Sequence, residues 1–218
     1  LLIDCEDDAS AGQIKVYRRV NALAGRHSWP VVVGQFAGQV VVLAQAAQDD
    51  AQSLATSILA HLASYRSTGR ANGCELRIGV SAAQQGASQV RTAHHQCRDV
   101  MHISRRLGDK AGVVFFDDLG YLHALYLAGP QSLQGNADVS KLRDLLSETQ
   151  ADLFHTLEVY LDCGGSGVQT AETLHIHRST LNYRLTRISR QCDVDLADPV
   201  ARMNLQVALK LMRLFEVD

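Results

Sequence analysis

The chain has 218 residues, 46% hydrophobic and 20% charged, enough for one large core or two small ones and too balanced for a disordered or low-complexity segment. A formal net charge of −2 excludes a globally basic protein that coats nucleic acid, so any DNA contact has to come from a local patch. Five scattered cysteines (Cys5, Cys74, Cys97, Cys163, Cys192) form no CxxC pair, which points to reduced thiols in a cytoplasmic protein, and no apolar run approaches the ~20 residues of a membrane span.

In chain order, residues 1–4 read as a short buried strand followed by an acidic turn (Glu6, Asp7, Asp8). No basic n-region precedes this strand, and the abrupt apolar start is expected of a fragment whose sensor segment lies upstream. Residues 13–23 are helical, with Ile14, Val16, Val20 and Leu23 on the apolar side. Pro30 breaks the chain before two β-branched runs, 31–36 and 40–44, separated around Gly38 as in a hairpin. A helix follows at 49–65, carrying Leu54, Ile58, Leu59 and Leu62 in one stripe, then a strand at 76–80, a long helix at 88–107 and a strand at 113–116. The order β-α-β-β-α-β-α-β predicts an α/β sandwich over residues 1–118, with helices on a mixed sheet of ferredoxin-like or palm type.

Residues 119–150 read as linking helices and a possible dimer contact: Tyr121, Leu122, Leu125 and Tyr126 share a face, Gly129–Pro130 stops the first helix, and a second runs from about 139 to 146. An all-α domain is expected over 151–218. Its first helix, 153–161, ends at Gly164–Gly165, and its last, opened by Asp198–Pro199, is expected to bury Val200, Met203, Val207, Leu211 and Leu214.

Between them lies the stretch that carries the chemistry. Leu181, Leu185 and Ile188 recur at i, i+4, i+7 and face a core, while Ser179, Thr180, Tyr183, Thr186, Arg187 and Arg190 take the opposite side, with Asn182 and Arg184 on the flanks. Residues 173–192 contain four arginines and no Asp or Glu. A shorter helix precedes, with Ser166 or Thr170 as its cap, small Ala171 at the crossing, and Leu174 and Ile176 under the turn. This is the grammar of a helix-turn-helix, with His177, Arg178, Ser179 and Thr180 where base edges are met. An ordinary helical hairpin with a solvated basic face is the plain alternative.

The run TAETLHIHRSTLNYRLTRI, preceded by LFHTLEVYLDCGG and followed by DLADPVARMNLQVALKLMRL, resembles the C-terminal DNA-binding domain of the PucR/CdaR family of bacterial transcriptional regulators, whose helix-turn-helix is of the Fis type. LRIGVSAA, a long helix and GVVFFDDLG resemble the GGDEF-like domain that accompanies it in that family. The resemblance implies a degenerate GGDEF-like α/β sandwich followed by a helix-turn-helix domain, in a homodimeric activator of a catabolic or nitrogen-assimilation operon with an effector acting through the missing upstream domain. It also places the base-reading arginine at Arg178, which the helix wheel sets nearer the core side than Tyr183. Arg178, Thr180 and Tyr183, with His177 beside them, are expected to read bases; Ser166, Thr170, Arg184 and Arg187 are expected to meet phosphates.

True GGDEF domains are diguanylate cyclases, needing a metal-binding carboxylate after the first strand and acids in the hairpin turn. Asp4 could supply the first, but Gln39 and Val40 stand where acids are required and no Asp or Glu occurs from 9 to 48. No catalytic residues, metal or cofactor are therefore expected. His94, His95, Cys97 and His102, and the pair His175 and His177, match no zinc spacing, and there is neither a GxxxxGK[ST] loop nor a GxSxG elbow. The competing function is a nucleotide-binding or cyclase-like relative whose helical domain binds protein.

Overall fold

In the computed structural model, residues 1–5, 10–27, 29–45, 48–64, 76–108, 112–146 and 151–215 are described. Glu6, Asp7 and Asp8 of the expected acidic turn lie outside them, as do Tyr65 and Cys74. The chain forms two compact units, Leu1–His123 and Ala124–Asp218.

The first unit runs β1 (Leu2–Cys5), α1 (Ser10–His27), β2 (Val31–Phe36), β3 (Gln39–Ala44), α2 (Gln48–Ser64), β4 (Leu76–Val80), α3 (Val90–Arg106) and β5 (Val113–Phe115), the order expected from the sequence. The sheet order is β2-β3-β1-β4-β5; every pairing is antiparallel except β4 with β5, the pair joined by α3. A parallel pair needs such a crossover, whereas β2 and β3 close through Ala37–Gly38, both at positive φ as a tight hairpin turn demands.

Strand alternation decides what each helix covers. Val40 and Val42 of β3, Ile3 of β1 and Ile78 of β4 point to α1 and α2, where Val20, Leu23, Leu54 and Ile58 complete the main core. Leu2 and Val41 point the other way, to Cys97 and Met101 of α3. Burial pushes the Cys97 thiol above its ordinary range. Ile14 belongs to neither core and is exposed, while Ala24 is buried. On the α3 side Gly79 permits a close approach, since a Cβ there would lie 2.9 Å from the carbonyl oxygen of Cys97 and 3.1 Å from Met101.

The helical unit takes in most of α4 (Tyr121–Ala128) and all of α5 (Ala137–Leu145), α6 (Ala151–Asp162), α7 (Gly167–Thr173), α8 (Arg178–Cys192) and α9 (Pro199–Phe215). Asn136 caps α5, its Oδ1 accepting from the amides of Asp138 (3.0 Å) and Val139 (3.2 Å). Val139, Leu142 and Leu145 of this helix are fully buried with Leu157 of α6, Ile188 and Cys192 of α8, and Leu205 and Met212 of α9. Two ion pairs tie α9 to α6: Arg213 clasps Glu158 through both nitrogens at 3.0 and 2.7 Å, and Lys210 meets Asp162 at 2.8 Å.

The last helix differs from expectation. Val200 and Met203 are 65% and 63% exposed and Val207 is half-buried. The buried stripe is instead Leu205, Ala208, Leu209 and Met212, with Leu211 and Leu214 widening it. Leu211 and Leu214 are thus buried as expected, while Val200 and Met203, on the other apolar stripe the sequence offers, face outward.

Gly79→Ala overpacks the contact with α3 and is expected to lower stability by about 1–3 kcal/mol. Gly25→Ala, on α1 with open space around it, should raise stability by about 0.5–1 kcal/mol. Trp29, the chain's single tryptophan, sits against the first unit's core and reports both in urea unfolding followed by fluorescence.

Candidate nucleic-acid interface

The helix-turn-helix is built by two backbone closures and a side-chain cap between them. α6 ends with the amides of Gly164 and Gly165 returning to the carbonyls of Leu161 and Tyr160, both at 2.9 Å, with Gly164 at φ 63°. Ser166 then caps α7, its Oγ accepting from the Gln169 amide at 3.4 Å. α7 ends in the same way, His175 N–H to Glu172 O and Ile176 N–H to Ala171 O, both 3.1 Å, but here the left-handed position is His175, at φ 53°, with no glycine to relieve it.

His177 is the N-cap of α8. Its Nδ1 accepts from the Ser179 amide at 3.3 Å and lies 2.7 Å from Ser179 Oγ. An amide N–H can only donate, so this Nδ1 is bare and the neutral ring carries its proton on Nε2, available as a donor at the helix start. The cap holds Arg178, Ser179 and Thr180 in the first turn, where unsatisfied amides add positive potential.

Leu181, Ile188 and Cys192 are fully buried and Leu185 packs beside them, so the core-facing side of α8 falls where the spacing puts it. Burial raises the Cys192 thiol to about 11, which keeps it neutral. Arg178, Ser179, Thr180, Asn182, Tyr183, Thr186, Arg187 and Arg190 are exposed, Tyr183 by 66%. Arg178, Arg187 and Arg190 have no hydrogen-bond or ion-pair partner among the described residues. The result is a polar face with three uncommitted guanidinium groups and an aromatic ring.

Two residues expected at phosphates are placed elsewhere. Thr170 is fully buried inside α7, its hydroxyl donating to Ser166 O at 2.7 Å. Arg184 turns to α6, donating to Thr156 Oγ1 at 3.0 Å and to Asp152 Oδ2 at 3.2 Å. Sequence reasoning missed Asp152 and Thr156 as its partners because they lie 32 and 28 residues away. It also missed the capping role of His177, a residue type that seldom caps.

In the first unit, Asp4 is nearly buried, ion-paired with Arg105, and accepts from Gln39 Nε2 at 3.5 Å. Val40, at the second acid position, is a core residue. The His94 ring meets Phe36 edge-on at 5.3 Å, and its proton affinity is lowered first by burial and then by Arg98. Among the described residues no three His, Cys, Asp or Glu side chains are grouped to hold a metal, and no helix is long and apolar enough to cross a membrane.

Comparison with known proteins assigns both units. Residues 1–103 match the GGDEF-like domain and residues 153–211 the PucR C-terminal helix-turn-helix domain. Three relatives from Bacillus subtilis (strain 168) are similar. The DNA-binding transcriptional activator AdeR is 26% identical over 63% of this chain and 33% of its own, and the purine catabolism regulatory protein 30% over 73% and 28%. The proline-responsive transcriptional activator PutR is 37% identical over 36% of this chain and 19% of its own. The chain thus spans about a third or less of these relatives. A regulator of polyketide synthase expression from Bifidobacterium adolescentis covers 99% of this chain and 80% of its own at 20% identity, with a TM-score of 0.37, too slight a likeness to bear on its arrangement. With a GGDEF-like domain followed by this helix-turn-helix, in company with these regulators, the chain belongs to the PucR family of transcriptional regulators.

Proposed function

We propose that this chain is the DNA-reading part of a cytoplasmic, homodimeric activator that binds a specific operator through α8. The observation that carries the reading is the outward face of that helix, where Arg178, Arg187 and Arg190 stand uncommitted, no acid lies between 173 and 192, and Leu181, Ile188 and Cys192 hold the opposite side in the core. Arg178 and Thr180 in the first turn, Tyr183 one turn on, and the Nε2–H of His177 read base edges; Ser179 and Asn182 border them. Arg187 and Arg190 meet phosphates, and Ser166 reaches the backbone only through the exposed side of its cap.

Activation is supported by the printed descriptions of AdeR and PutR as activators, and a catabolic or nitrogen-assimilation operon by the purine catabolism regulatory protein and proline-responsive PutR. A single recognition helix touches few base pairs, so specificity requires two half-sites and hence a dimer, with an effector acting through sequence upstream of this region. The GGDEF-like unit serves as structure, because the carboxylate at its first strand is engaged by Arg105.

Selection from a random duplex library tests the reading. The chain is expected to enrich a repeat of two half-sites, and the Arg178→Ala, Tyr183→Ala double variant nothing; a parent that dimerises but enriches no sequence at low salt would sink it. Individually, Arg178→Ala should cost about 1–3 kcal/mol on the selected site and relax preference at one position, as loss of a bidentate guanine contact does. Arg187→Ala should weaken selected and scrambled duplexes alike and reduce the slope of log affinity against log salt by about one. Titration of affinity across salt concentrations separates the two.

A further inference from the structure

Of the four arginines on α8, Arg184 alone is held inward, its side chain 24% exposed. Its two terminal nitrogens are both used: Nη1 donates to Thr156 Oγ1 and Nη2 to Asp152 Oδ2. Thr156 is fully buried and gives its own hydroxyl proton to the Asp152 carbonyl at 2.6 Å, which turns the lone pairs of Oγ1 toward the guanidinium. Asp152 and Thr156 are one turn apart on α6, so the pair makes a two-pronged acceptor that a planar guanidinium fits and a point charge does not.

The position of this clasp matters for how α8 sits. Leu181 and Ile188, seven residues apart, lie on one line along the helix, and Leu185 and Cys192 fall on one side of that line. On the other side of that line the next positions, Arg184 and Gln191, offer the core no apolar side chain. Arg184 lies about 60° round on that side and closes it. A DNA phosphate approaching Arg184 would meet the Asp152 carboxylate, which is 84% exposed and repels it.

We infer that Arg184 is a positioning residue: clasped by Asp152 and Thr156, it fixes the roll of α8 on α6, and so the angle at which Arg178 and Tyr183 meet bases, without contacting phosphate. The inference rests on the reading of α8 as the DNA-recognition helix. It is tested with the whole chain, by fluorescence anisotropy of the selected and scrambled duplexes across salt concentrations where every variant is folded. Asp152→Asn and Arg184→Gln should each reduce the selected-to-scrambled affinity ratio about three- to tenfold, and the double variant should be no worse than Arg184→Gln, as coupled neighbours behave. Neither should change the salt slope, and Arg184→Lys should restore part of the ratio by recovering the Asp152 pairing. A salt slope reduced by about one in Arg184→Gln, with Asp152→Asn harmless or tighter-binding, would make Arg184 a phosphate contact and overturn the inference. If the parent selects no sequence, the DNA reading falls, and thermal unfolding judges the clasp alone: non-additive losses for Asp152→Asn and Arg184→Gln uphold it, additive ones dismiss it.

Discussion

Burial of Leu181, Ile188 and Cys192 under α8 is the constraint on which the helical unit depends. Once those three are in the core, periodicity assigns the other positions to a side: a residue four or seven away turns inward, and one two or five away outward. The polar face is thus fixed by an apolar interaction on the far side of the same helix. α5 and α9 contribute most of the core that receives it, with Val139, Leu142 and Leu145 from one and Leu205, Leu209 and Met212 from the other. The stretch that reads as a connector in sequence is, over α5, part of what holds the recognition helix in place.

Periodicity carried much of this into the sequence. The strand and helix order of the first unit, the two faces of α8 and the short helix before it all follow from local spacing, which is set by 2.0 and 3.6 residues per repeat. What spacing could not settle were choices between equivalent local patterns and partnerships across long separations. Val200 and Met203 continue an apolar stripe as well as Leu205 and Ala208 do, and only the neighbouring helices decide between them. Arg184 looks like any cation on a basic helix until Asp152 and Thr156 are brought alongside. Thr170 has a hydroxyl suited to a cap, yet Ser166 takes that place and Thr170 folds its proton back on the helix.

The GGDEF-like unit carries apolar and paired side chains where a cyclase would need free acids. Val40 occupies an acid's position as a core residue, and Asp4 is paired with Arg105. A carboxylate already paired with a guanidinium has fewer lone pairs to offer a cation.

His175 carries a different implication. Its left-handed backbone is closed on either side by amides returning to Glu172 and Ala171, and His177 takes over two residues later as the cap of α8. The turn between α7 and α8 is thus closed by backbone hydrogen bonds at its start and by a side-chain cap at its end. On the reading proposed for α8, a turn closed in this way leaves more of the adjustment to the duplex. Part of its sequence preference is then written in how easily DNA bends or narrows at steps that no side chain touches.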